Sequence, residues 1–140
     1  MPKKFIEPYL FFDGRCEEAI EFYRAATGAE VLMQMRFKDS PEPGQPGMLP
    51  PGSENKIMHS TLRIGESTFH ASDGRCQGEG IFAGFSLSLA LPDADEVDRV
   101  FAALAEGGKV VMPPSKTFWS PKFGMLTDRF GVGWMITVGS

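Results

Sequence analysis

The sequence predicts an α+β fold built from one unit, strand, helix and three strands, written twice. Three observations predict it. Ala19, Phe22, Tyr23 and Ala26 form an apolar helical stripe that returns 78 residues later as Val97, Val100, Phe101 and Leu104. Each stripe runs into glycine and an apolar strand, Gly28-Ala29-Glu30-Val31 and Gly107-Gly108-Lys109-Val110. Thr61-Leu62-Arg63-Ile64-Gly65 and Thr127-Asp128-Arg129-Phe130-Gly131 share a spacing, and each leads into a closing strand. Self-similarity of this kind implies a pseudo-twofold architecture.

Phe5 to Phe12 reads as the first strand, ended by Asp13-Gly14. Arg15 to Thr27 reads as a helix, with Glu17 and Glu18 near its positive N-terminal end and Gly28 suited to its C-terminal cap. Glu30 to Lys38 follows as a strand. Residues 39–55 hold five prolines and three glycines, which maintain neither a helix nor an interior strand, so a mobile loop is expected. Lys56 to Ile64 and Ser67 to Ser72 form a hairpin around Gly65-Glu66, which sets residue 64 opposite 67 and residue 61 opposite 70.

The order then repeats. Phe85 to Leu91 alternates cleanly, Phe85, Leu87, Leu89 and Leu91 one way and Ser86, Ser88 and Ala90 the other. Asp93 to Glu106 is the second helix, and strands follow near 109–112, 123–127 and 133–138. The two modules span about 1–74 and 82–140 of a single domain. A helix at the same place in each unit covers one face of a mixed sheet and leaves the other as a concave surface for a small molecule.

At 140 residues the chain is long enough to bury a working core. A formal net charge of -4, with no run of lysine or arginine, offers no footprint for a phosphate backbone, so nucleic acid is excluded as a partner. The apolar start is broken by Glu7 and Pro8 and is too short for a membrane or secretory segment; a cytoplasmic protein is expected. Cys16 and Cys76, each ending an Asp-Gly-Arg-Cys tetrapeptide, are then thiols, and a loop cysteine beside His70 makes no nucleophilic pair of itself.

His59 and His70 are the only histidines. The hairpin register places them with Thr61, Arg63, Thr68 and Ser72 on one strand face, as diagonal neighbours roughly 7–8 Å apart or less. They are the candidate catalytic residues, read as a shared proton-transfer or binding pair, as surface and packing histidines, or as a metal pair, for which two histidines without a carboxylate between them are a poor site. The chain has no P-loop and no Gly-x-Gly-x-x-Gly opening a helix.

Pro8-Tyr9-Leu10-Phe11-Phe12-Asp13-Gly14, Glu18 to Tyr23, Gly28-Ala29, Ala71-Ser72-Asp73, Thr117-Phe118-Trp119, and Phe123 through Asp128-Arg129-Phe130-Gly131-Val132 to Trp134-Met135 together resemble the PhnB-like branch of the glyoxalase, bleomycin-resistance and extradiol-dioxygenase (vicinal oxygen chelate) superfamily. The resemblance implies two βαβββ modules in a curved eight-stranded mixed sheet with helices outside, a homodimer, and a ligand cavity in each cup. Its metalloenzymes hold a divalent ion with histidines on the first strand of each module and carboxylates on the last. Alignment sets Pro8, Ser86 or Ser88, Phe69 and Met135 at those four places, none able to make a hard divalent site.

The resemblance therefore implies a metal-free, cofactor-free protein binding a small organic molecule, with Phe12, Phe69, Ser86, Ser88, Trp119 and Met135 lining the cavity and the histidine face outside it. The alternatives are a lyase, isomerase or dioxygenase of the same superfamily, using a metal on shifted ligands or acid–base chemistry at His59 or His70, and a purely structural or regulatory dimer whose pocket is vestigial. Relatives in this branch carry a ubiquinone-pathway methyltransferase name, which no glycine loop of this chain supports.

Overall fold

The computed structural model describes residues 4–40, 51–74 and 81–139. The chain divides into two compact units, residues 1–80 and 81–140. The first contains β1 (Tyr9–Phe11), α1 (Cys16–Thr27), β2 (Glu30–Arg36), β3 (Ile57–Ile64) and β4 (Ser67–Ser72). The second contains β5 (Leu87–Leu91), α2 (Ala94–Ala105), β6 (Lys109–Ser115), β7 (Phe123–Thr127) and β8 (Gly133–Val138). Each has a four-stranded mixed sheet, ordered β1-β4-β3-β2 in one and β5-β8-β7-β6 in the other. In both, the first strand pairs parallel to the last, and the other pairings are antiparallel.

The duplication reaches down to irregularities. A register shift separates Val31, opposite Leu62, from Met33, opposite Thr61. Its counterpart separates Val110, opposite Leu126, from Met112, opposite Met125. A bulge inserts one residue and bends the strand, so both units carry the same bend in the same edge strand.

Helix α1 buries Cys16, Ala19, Ile20, Tyr23 and Ala26. Ile20 thus belongs to the apolar stripe, while Phe22 is only half-buried. The Asp73 carboxylate holds the start of α1, with Oδ1 accepting from Gly14 N at 2.7 Å and Cys16 N at 2.8 Å; Oδ2 accepts from Ile57 N at 2.8 Å. Gly28, at φ 76°, ends α1 by donating its N–H to Arg24 O. Helix α2 starts on Asp93, whose side chain accepts from Glu96 N at 2.9 Å, and buries Val97, Val100, Phe101 and Leu104. Asp128 closes the β7–β8 turn, accepting from Phe130 N, Val132 N and the Trp134 indole.

Several boundaries differ from the sequence reading. Only Tyr9–Phe11 pairs as the first strand, because Pro8 has no N–H to offer; its carbonyl accepts from His70 N, and Phe5 and Ile6 stay exposed. Strand β6 runs through Pro113-Pro114 to Ser115, which an edge strand tolerates because one side needs no donors. Strand β5 begins at Leu87 rather than Phe85. Residues 37–39 and 53–55 form short 3-10 turns, and positions 41–50 of the proline-rich loop, like Cys76, lie outside the described residues. No helix among the described residues is long and apolar enough to cross a membrane.

Candidate functional site

Which face of each sheet the helix covers decides where a ligand can lie. In the first unit the Tyr23 ring of α1 meets Phe69 edge-on at 6.4 Å between centroids and Phe12 at 6.1 Å. Phe12 and Phe69 are 3% and 5% exposed. Both are core beneath the helix, and neither side chain reaches the open face. The expected facing of this sheet is therefore reversed: the surface away from α1 carries the histidines.

The reason is one residue of loop. Arg63 and Thr68 pair across four intervening residues in the β3–β4 hairpin, whereas Thr127 and Gly133 pair across five in β7–β8. Equal counts from Gly65 and Gly131 therefore do not reach equivalent positions, and a one-residue slip turns a strand over. The two bulges give the true correspondence. Tyr9, His70, Thr61 and Met33 form a row across the first sheet, and Ser88, Met135, Met125 and Met112 form the matching row across the second. His70, not Phe69, is the counterpart of Met135, and Tyr9, not Pro8, is the counterpart of Ser88.

The first open face holds a hydrogen-bonded cluster. His70 Nε2 lies 2.8 Å from Glu7 Oε1, and His70 Nδ1 lies 3.2 Å from His59 Nε2 and 3.1 Å from Thr61 Oγ1. The two imidazoles stack with centroids 5.2 Å apart. Tyr9 stacks on both, at 5.7 Å to His59 and 5.4 Å to His70, and Phe11 stacks on Tyr9 at 4.9 Å. Glu7 and His70 side chains are 26% and 22% exposed, so the pair is half-buried yet reachable. Burial, reinforced by the neighbouring His70, holds the His59 imidazole below its ordinary pKa. Burial likewise raises the Tyr9 phenol, against a hydrogen bond with Ser72, so Tyr9 stays a neutral donor.

The pairing of 61 with 70, and the shared face of the histidines, stand as the hairpin register predicts. Glu7 is the side chain of this cluster that sequence reasoning missed. It precedes the strand, 63 positions from His70, and only the parallel β1–β4 pairing brings it there.

In the second unit Trp134 and Ile136 are buried toward α2, and Ser88, Met125 and Met135 take the opposite face. Ser86 stands next to Gly133, where an added Cβ meets its hydroxyl at 3.0 Å. Trp119 is 56% exposed and packs edge-on against Phe123 at 5.3 Å and Phe118 at 4.7 Å. Ser86, Ser88, Met135 and Trp119 thus belong to this unit, whereas Phe12 and Phe69 are core of the other. Among the described residues no three of histidine, cysteine, aspartate and glutamate are disposed to hold a metal ion.

The model of the family described as 3-demethylubiquinone-9 3-methyltransferase matches residues 4–137. The chain belongs to that family. Among solved structures, protein PA1353 from Pseudomonas aeruginosa is 41% identical, with a TM-score of 0.84 covering 97% of this chain and 98% of that one. A putative 3-demethylubiquinone-9 3-methyltransferase, PhnB protein, from Bacillus cereus is 30% identical, with a TM-score of 0.78 over 97% of this chain and 100% of that one. Protein YjdN of Escherichia coli (strain K12) is 38% identical over 138 residues, 95% of this chain and 94% of its own. The fosfomycin resistance protein FosX from Listeria monocytogenes, 11% identical with a TM-score of 0.64, shares the fold across all of this chain and 96% of its own. The 3-demethylubiquinone-9 3-methyltransferase family here is thus the PhnB-like branch of the glyoxalase, or vicinal oxygen chelate, superfamily.

Proposed function

We propose that this protein binds a small organic molecule on the helix-free face of its sheet, as a cytoplasmic homodimer and without a resident metal. Glu7, His70 and His59 supply the polar end of the site, and Tyr9 and Phe11 the aromatic shelf. The observation that supports this is the Glu7–His70–His59 row. A carboxylate and two imidazoles on a half-buried sheet face cost desolvation that an apolar row of the kind in the second unit avoids. Ser86, Ser88, Met135 and Trp119 are the corresponding candidates in the second unit.

Methyl transfer is not the reading favoured. The β1–α1 turn is the first unit's strand-to-helix junction, and Asp73 already occupies its Gly14 and Cys16 N–H groups, leaving no cradle there for a nucleotide-bearing cofactor. The metal-dependent rival needs ligands beyond His59 and His70, the only histidines of the chain.

The test is a thermal-shift screen of neutral and cationic organic molecules, followed by NMR of the two histidine rings. A true ligand at about 100 times its dissociation constant adds about 2.7 kcal/mol of stability and moves the His59 and His70 signals. Ligands that leave those signals unmoved, or a panel that never shifts the melting temperature, sink the assignment. Near-stoichiometric Ni, Zn, Fe or Mn in protein purified without added salts overturns the metal-free part, and a monomer in sedimentation equilibrium overturns the dimer.

A further inference from the structure

We infer that the helix-free face of the second sheet takes up a soft monovalent cation, copper(I), on the thioethers of Met112, Met125 and Met135. This goes beyond the small-molecule reading and stands apart from it. The site lies in the second unit, and its ion is captured when offered rather than being one of the divalent ions whose presence tests that reading.

Three successive strands supply the ligands. Met112 of β6 pairs with Met125 of β7, which pairs in turn with Met135 of β8, so the three side chains rise from one face as directly opposed neighbours. Opposed residues hold their Cβ atoms about 4.5–5.5 Å apart, which leaves Met112 and Met135 roughly 10 Å apart with Met125 midway. A methionine has three rotatable bonds and no branch, so the outer two sulfurs can lean inward and meet an ion above the middle one.

The bulge in β6 completes the triad. Val110 pairs with Leu126 and Met112 with Met125, so the register shift passes over Val111 and sets a thioether, in place of a branched aliphatic chain, opposite Met125. The fold itself does not call for sulfur here, because the matching row of the first unit reads Tyr9, His70, Thr61 and Met33. Nor is the row sealed in the core. Met112 is 38% exposed, and Met125 and Met135 are half-buried.

Ligand chemistry selects the ion. Soft thioether sulfur favours copper(I), whereas harder divalent ions prefer carboxylate, carbonyl or imidazole. Three thioethers also bring no charge of their own. The ion's charge therefore stands uncompensated on a half-buried surface, and that desolvation cost grows with the square of the charge, which disfavours a divalent ion. Ser88, Ala90, Thr127 and Thr137, which the pairings place around the row, are neutral. Among the described residues Lys109, opposite Thr127, is the one charged side chain that the pairings put on this face, and an ammonium group has no lone pair to offer.

The probe is silver nitrate in chloride-free buffer, a redox-silent stand-in for copper(I). It is added to the full-length chain carrying Cys16→Ala and Cys76→Ser, so that no thiol competes. With the methionine methyl groups isotope-labelled for NMR, the first equivalent is expected to move three of the chain's eight methionine signals, those of Met112, Met125 and Met135. Anaerobic copper(I), kept reduced by excess ascorbate, is expected to give the same pattern. Met125→Leu and Met135→Leu, which conserve volume, are each expected to weaken binding at least about tenfold with the remaining methyl signals in place, and Met33→Leu to leave it unchanged. A first equivalent that moves Met35 and the His59 and His70 rings while the row stays still overturns the site. So does wild-type affinity in both leucine variants of the row, or no binding at all. Silver binding that copper(I) does not reproduce overturns the choice of ion. None of these outcomes bears on the organic-ligand screen, which judges the small-molecule reading separately.

Discussion

At the scale of single residues, chemistry gathers where a carboxylate or imidazole is enclosed. His59 titrates below its ordinary value because the fold disfavours its charged form. The unfolded chain therefore binds a proton near pH 6.5 while the folded chain does not, so this residue's contribution is complete above about 6.5 and is lost as pH falls toward the folded value. His59→Gln is expected to flatten that acid-side decline in urea midpoint, and an unchanged decline contradicts the assignment. Asp73 acts structurally, its 1% exposed residue accepting hydrogen bonds from three backbone N–H groups. Asp73→Ala orphans all three and is expected to cost about 3 kcal/mol or more in urea unfolding, with Asp73→Asn costing less. The histidine pairing was legible because Gly65-Glu66 defines its own register. Glu7 was not, because nothing local links it to a strand 63 positions away.

At the scale of elements, helices and hairpins follow local pattern, and facing depends on loop length. Alternation read α2 and the side of β5 that meets it correctly, since Leu87 and Leu89 lie beside the buried Trp134 and Ile136. The same logic applied to β4 put Phe69 on the wrong side, because the extra residue between β7 and β8 shifts the count. The chain echo of 61–65 with 127–131 was misleading for the same reason: Thr61 sits mid-strand opposite His70, while Thr127 is the last paired residue of its strand. Close approach supplies an element-scale prediction. A Cβ at Gly124 would stand 2.7 Å from the Phe101 ring and 3.1 Å from Pro114 N. Gly124→Ala is expected to push α2 off β7 and cost about 1–3 kcal/mol, read as a lower chemical-denaturation midpoint; truncating Phe101 in the same chain recovers part of that loss.

At the scale of the whole molecule, the duplication was legible in the helix stripes and the structure deepens it to matching bulges. Strand order makes β4 and β3, like β8 and β7, interior, and leaves β1 and β2, like β5 and β6, as the edges of their four-stranded sheets. Amide hydrogen exchange is expected to be slowest in those four interior strands and faster along β2 and β6, and equal rates would contradict the sheet order.

The row Met112, Met125 and Met135 across the second sheet carries a liability that the matching row of the first, with Met33 as its one thioether, shares only at its edge. Thioethers on a reachable surface take up oxygen from peroxide and become polar, chiral sulfoxides. Ageing or oxidative stress would therefore wet this row at three places and its counterpart at one, and a reductase that restores methionine would reverse the damage.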